Sequence, residues 1–142
     1  MTNTFENDIA LLLFNNTSIT DIGDAGGILQ SVADGNLYVA LFTADPTEAG
    51  TQTNEATFGA YARQAVPRTV GGWTVSTNQA SNAALITFPE ATSGSETITH
   101  FGIMDSLTTG TMLFHSNVTT PRAVATGVTL EYAIGALTVT FD

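Results

Sequence analysis

Hydrophobic and polar positions change their spacing along this chain. Over residues 4–15, Phe5, Ile9, Leu12 and Leu13 recur at helical spacing, which predicts an amphipathic helix, with Asn3 and Glu6 spaced as a capping box. Leu11 and Phe14 fall on its other side, so this helix is greasier than a lone surface helix. It either plugs one end of the chain's own core or packs on a neighbouring subunit. From residue 15 to 36 the chain turns to Thr, Asp, Gly and Ser, with Gly23, Gly26, Gly27 and Gly35 as breakers. That pattern predicts a connecting loop with one short helical turn near 28–33. In Leu37-Tyr38-Val39-Ala40-Leu41-Phe42 both alternating faces are apolar. Neither face suits water, so this segment is expected to be the central strand, sandwiched between layers.

The rest of the chain alternates over short runs. Strands are predicted at 59–66 and 70–75, interrupted at Pro67 and Gly71-Gly72, then at 83–88, 97–104, 111–118, 128–132 and 137–141. Residues 77–82 read as a turn, and a loop runs through Pro121. About eight short strands at this spacing predict a mainly β fold, an antiparallel jelly-roll-like β-sandwich with one N-terminal α-helix. The expected layout is a single domain over 1–142: the helix at 1–16, the connecting loop at 17–35 and the sandwich at 36–142. No repeat or linker interrupts it.

Composition narrows the function. Charged residues make up only 11% of the chain, against roughly 25% in a usual soluble domain, so the surface is built of Thr, Ser, Asn and Gly. Such a surface suits a β-protein or one partly covered by neighbours. Thirteen acidic residues stand against three arginines and no lysine, a formal net charge of −10. A chain like this gains nothing from neutralising phosphates, so binding to DNA, RNA or anionic membranes is not expected. With no cysteine there is no disulfide, thiolate nucleophile or cysteine-ligated metal. The apolar run 9–14 follows Glu6 and Asp8 rather than basic residues and is shorter than the roughly 20 residues a bilayer span needs. No signal peptide is therefore expected.

Candidate chemistry is thin. The acidic cluster Asp21, Asp24 and Asp34 lacks the alternating oxygen ligands of a calcium loop, because Ile22, Gly23 and Ala25 stand between them. His100 and His115 lie in predicted strands and could face one another, but no close ligand spacing supports a zinc site. Ser106, His100 and Asp105 can be written as a triad, yet no Gly-x-Ser-x-Gly elbow accompanies them. Glycoside hydrolysis would draw on Glu48, Glu55, Glu90 and Glu96, but Trp73 is the only tryptophan and reads as a packing anchor. No glycine loop is followed by Lys-Ser/Thr to hold a nucleotide. The expectation is a protein that is not an enzyme and carries neither cofactor nor metal. Arg63, Arg68 and Arg122 say more: in so acidic a chain each should meet carboxylates and pair with them, within the chain or across a subunit boundary.

The segment Asn36-Leu37-Tyr38-Val39-Ala40-Leu41-Phe42-Thr43-Ala44-Asp45-Pro46-Thr47-Glu48-Ala49-Gly50 is followed by Asn54-Glu55-Ala56, Gly59-Ala60-Tyr61-Ala62-Arg63 and Gly71-Gly72-Trp73. Together with Phe88-Pro89-Glu90-Ala91-Thr92, Ile98-Thr99-His100-Phe101-Gly102-Ile103, Leu113-Phe114 and Gly135-Ala136-Leu137-Thr138-Val139-Thr140, it resembles a family of small bacteriophage virion proteins. Members are usually labelled tail fibre proteins, and they are similar to jelly-roll head decoration or cement proteins. The likeness spans nearly the whole chain, except that residues 19–35 replace the brief Pro-containing link of many members. It implies a virion structural protein made in the host cytoplasm: a capsid cement protein, trimers of which bridge major capsid subunits, or a tail fibre or receptor-binding module touching the host surface. The implied partners are further copies of the chain and the major capsid protein or other virion proteins. Interface candidates are Phe5, Ile9, Leu12, Phe14, Arg63, Arg68 and Arg122, with the polar loops 19–35 and 44–58.

Overall fold

The computed structural model describes residues 1–20, 22 and 26–141. Helix α1 (Asn3–Asn15) begins without the capping box: Thr2, in an extended conformation, is its N-cap, and no side chain bonds to the helix end. Its most buried line is Glu6, Ala10 and Phe14, while Phe5, Ile9, Leu12 and Leu13 are half-buried. The buried face is thus rotated by one position from the predicted stripe. The physical reason is Ala10: its small side chain is fully buried and permits close approach, while Ile9 and Leu13 pack against the core only partly buried. Asn16 in the left-handed region (φ 47°) ends the helix, and the Thr17 amide returns to the Leu11 carbonyl at 3.1 Å. No helical turn forms at 28–33. Ile19 and Ile28 instead exchange backbone hydrogen bonds of 2.9 and 2.8 Å, so the connection folds back on itself.

Nine strands follow among the described residues: β1 (Asn36–Phe42), β2 (Gln64–Pro67), β3 (Trp73–Ser76), β4 (Gln79–Asn82), β5 (Ile86–Thr87), β6 (Ser95–Met104), β7 (Met112–Ala125), β8 (Glu131–Tyr132) and β9 (Thr138–Thr140). All pair antiparallel, in a four-stranded sheet β2-β1-β6-β7, a three-stranded sheet β3-β4-β9 and a two-stranded sheet β5-β8. Leu37, Val39 and Leu41 of β1 share one core with Phe101 and Ile103 of β6, Trp73, Ala80 and Val139 of the second sheet, and Ile86 and Tyr132 of the third. The fold is a mainly β antiparallel sandwich with one N-terminal helix. Helix α1 packs on β3 and β4. It drives the Phe14 ring edge-on into Trp73 at 4.9 Å, with Phe114 and Phe141 closing the cluster at 5.5 and 6.0 Å.

Strand β1 lies inside its sheet, and both its faces are covered, as its two apolar faces require. The second face carries a smaller cluster of Ala40, Phe42 and Met104 with Tyr38 and Met112. Residues 43–54 lie against this side, with Gly50 beside Met112 and Asp45 beside His115, so its covering layer is a loop rather than a sheet. Gly102 belongs to this packing. A methyl group there would meet Phe42 Cε2 at 3.0 Å and Met112 Cε at 3.1 Å.

Two expectations about strands are corrected. Residues 77–82 contain a turn at Thr77 and Asn78, but the remainder is β4, a strand of small and polar residues between β3 and β9. Strand β7 does not stop at residue 118 but runs on through Pro121 to Ala125, because β7 is an edge strand, where a residue without an amide donor is tolerated. Its register against β6 breaks on the way. Ile98 pairs with Arg122 and His100 with Asn117, so two steps of β6 face five of β7, and residues 118–121 bulge away.

Candidate functional site

The three arginines meet three different fates. Arg63, just before β2, is buried at 6% exposure, and each of its five N–H groups has an acceptor. Nε and Nη2 donate to the two Glu55 carboxylate oxygens at 2.8 and 2.7 Å, in the fork that a guanidinium forms with a carboxylate. The second Nη2 hydrogen goes to Gln52 Oε1 at 2.8 Å, and Nη1 reaches the carbonyls of Ser106 and Thr109 at 2.9 and 2.6 Å. Tyr61 extends the network: its hydroxyl donates to Glu55 at 2.9 Å and accepts the Leu41 amide of β1 at 3.0 Å. Hydrogen bonding to Glu55 holds the Arg63 guanidinium above its ordinary pKa, against the opposing effect of burial. Burial likewise pushes the Tyr61 hydroxyl far above the usual tyrosine range, with the Leu41 amide opposing and the Glu55 charge adding to it. One charge therefore fastens the loop over β1 to the turn between β6 and β7, beside a cleft of about 400 Å³ lined by Glu55, Tyr61, Arg63 and Leu107.

Arg68, just beyond β2, meets no carboxylate among the described residues. Its Nε donates to the Leu13 carbonyl at 2.6 Å and Nη2 to the Leu12 carbonyl at 2.7 Å, two of the acceptors left open at the end of α1. A cation there also opposes the helix dipole, and no basic residue of the last turn does so. Nη1 turns to Ser31 Oγ and the Asp34 carbonyl, both at 3.3 Å. Asn16 ties the same loop down from the helix side, bonding the main chain of Ser31 in both directions and Asp34 Oδ1. Thus Asp34, one of the three acids considered for calcium, is a structural acceptor, while Asp21 and Asp24 lie outside the described residues. Arg122, on the edge strand β7, is exposed and makes no hydrogen bond or ion pair among the described residues.

These placements redraw the interface candidates. Phe14 is fully buried and Arg63 nearly so, each engaged within the chain, so neither side chain is presented to a partner. Phe5, Ile9 and Leu12 keep part of their surface, Arg68 is half-buried at the helix end, and Arg122 is open. The intramolecular alternative for Arg63 and Arg68 is the observed arrangement. Arg63 was legible as a clamp, but Arg68's partners are carbonyls that no residue pattern advertises. The one signal for Arg68 is a helix whose last turn carries no cation of its own.

The candidate catalytic groups are dispersed. Glu55 is held by Arg63 and Tyr61; Glu96 accepts the amides of Thr57 and Phe58 at 3.0 and 3.1 Å; Glu48 and Glu90 are exposed. Asp105 Oδ1 accepts the Thr111 amide at 2.8 Å. It lies five residues from His100 along an extended chain, about 16 Å at the usual strand rise. His100 Nδ1 meets Thr99 Oγ1 at 2.9 Å. The two histidines occupy diagonal positions on one face of the β6–β7 pair, and His115 sits 3.5 Å from Asp45 and 3.7 Å from Glu48. No group of three or more such side chains is placed to hold a metal among the described residues. No described helix is long and apolar enough to cross a membrane.

No curated protein matches the chain. A family model described as "Podophage GP4 fiber I protein gp80" matches residues 1–140, helix and sandwich together. The match agrees with the resemblance to bacteriophage virion proteins carrying a fibre label. With all but the last two residues covered, the chain belongs to the podophage GP4 fiber I protein gp80 family.

Proposed function

We propose that this chain is a non-enzymatic structural component of a bacteriophage virion, which acts by binding neighbouring virion proteins and further copies of itself. The observation that carries this reading is the family match across residues 1–140. The site geometry supports it. The charged and polar groups that could carry chemistry, Arg63, Glu55, Tyr61, Arg68 and Glu96, serve to fix loops of the sandwich in place. What such a chain offers is a rigid, acidic, Thr- and Ser-rich surface whose binding free energy is spread over an interface.

Two positions in the particle fit. As a capsid cement protein, a trimer in the reading favoured by small size and lack of fibre repeats, it would bridge major capsid subunits. As a tail fibre or receptor-binding module, favoured by the word "fiber" in the family description, it would face the host surface. Copy number separates them. Hundreds of copies per purified virion, counted by quantitative mass spectrometry, support cement; a few to a few dozen support the tail. If particles stripped of the protein keep full resistance to heat and osmotic shock, the cement position is wrong. Cleavage of host polysaccharide by the purified chain, abolished by replacing Glu48 or Glu90, would overturn the non-enzymatic reading itself.

A further inference from the structure

Where β7 bulges away from β6, it opens a cleft of about 220 Å³ against β8. Val118, Thr119, Thr120 and Arg122 form one wall, and Glu131, Tyr132, Ala133 and Ala136 the other. Three features of this corner are unfinished in the isolated chain. Arg122 is exposed and unpaired among the described residues. Glu131, the acid sharing the cleft, is no ion-pair partner to it and instead accepts from Thr87 Oγ1 of β5 at 3.3 Å. The hydroxyl of Tyr132, a residue 5% exposed, has no hydrogen-bond partner among the described residues. A buried hydroxyl left unsatisfied is costly and uncommon in folded proteins. Arg122 and Tyr132 line this same cleft, so an acceptor drawn to the guanidinium enters the space that the tyrosine borders.

We infer that this cleft is a docking site for a carboxylate side chain of a second copy of the chain, held by Arg122 with the Tyr132 hydroxyl. The chemistry required is a compact anion that can accept two donors in a fork, which a carboxylate does. The source follows from charge. Copies at −10 repel one another over most of their surface, and with Arg63 and Arg68 engaged internally, Arg122 is where one copy can receive an acid of another. Bulges on edge strands commonly re-aim side chains toward partners. Ile134, 70% exposed beside Ala133, adds an apolar margin to the contact.

The inference rests on the reading that copies of this chain bind one another, and sedimentation equilibrium of the purified full-length chain tests the two separately. Wild type is expected to self-associate, and Arg122→Glu to weaken association by about thirtyfold or more. Arg122 is exposed and bonded to nothing described, so at concentrations where both are monomeric this variant should keep the wild-type urea midpoint. Tyr132→Phe carries the diagnostic signature: a raised unfolding midpoint for the isolated subunit, because the orphaned hydroxyl is gone, together with weaker association. A merely structural tyrosine would not move the two in opposite directions. If wild type stays monomeric at every concentration, self-association and this site both fall. If it associates and Arg122→Glu associates equally well, the site alone is wrong.

Discussion

Replacing Arg63 by methionine keeps the volume of the side-chain stem and removes the guanidinium. The loss follows from what remains. Glu55, whose side chain is 18% exposed, keeps its charge with only Tyr61 as donor, and Gln52 and the carbonyls of Ser106 and Thr109 each lose theirs. Removing one partner of a buried, hydrogen-bonded pair costs about 3–5 kcal/mol, which for a chain of this length lowers Tm by about 10–20 °C. Lysine should fall between, because its three donors cannot meet five acceptors spread over both sides of a planar fork. Urea unfolding followed by Trp73 fluorescence measures the change, and the midpoint should drop with the m-value unchanged. A double-mutant cycle with Glu55→Gln isolates the pair, for which a coupling of about 2 kcal/mol is expected. A loss below about 1 kcal/mol for Arg63→Met, or additivity in the cycle, would refute the claim that this arginine holds the loop to the β6–β7 turn.

Arg68→Met should cost about 1–2 kcal/mol, the size of two lost charge-assisted bonds and a helix-end cation partly offset by water, and hydrogen exchange should quicken in α1 and in residues 28–35 while β6 stays protected; uniform quickening would contradict the local role. Alkali should unfold the protein through its tyrosines. Burial pushes the Tyr132 hydroxyl up to about 12, against the lowering effect of Arg122, and Tyr61 higher still. Both titrate near 10 once unfolded. Below pH 10 their contribution is intact, and as pH rises from 10 toward 12 the unfolded state sheds protons that the folded state keeps, so stability falls by about 1.4 kcal/mol per unit for each tyrosine. Urea midpoints measured over this span should decline, and less steeply in Tyr132→Phe; a flat profile would show that neither hydroxyl is held as described.

What the residue pattern made legible is what local spacing encodes. The segment 37–42, apolar on both faces, could only be a covered interior strand, and it is one. Strand β4 escaped because its residues Gln79, Ala80, Ser81 and Asn82 carry no hydrophobic alternation. Asn82 is nonetheless fully buried, since its amide donates to the carbonyls of Ala84 and Ala133 and accepts the Leu137 amide. A polar residue that replaces missing backbone partners looks, in sequence, like any turn asparagine. Pro121 marked a strand end only on the assumption of an inner strand, and edge position is a tertiary property. The arginines divide in the same way. Glu55 lies eight residues from Arg63, but the carbonyls that Arg68 grips belong to a helix more than fifty residues away. Arg122 became informative only once the other two were accounted for.

The most direct test of the account is electron microscopy of intact, purified phage particles, with density assigned to this chain. The sandwich should be present in the particle and seated against virion proteins, on the head or the tail, with Arg63 and its partners enclosed within each copy. Purified, infectious particles that contain no copy of the chain would contradict it.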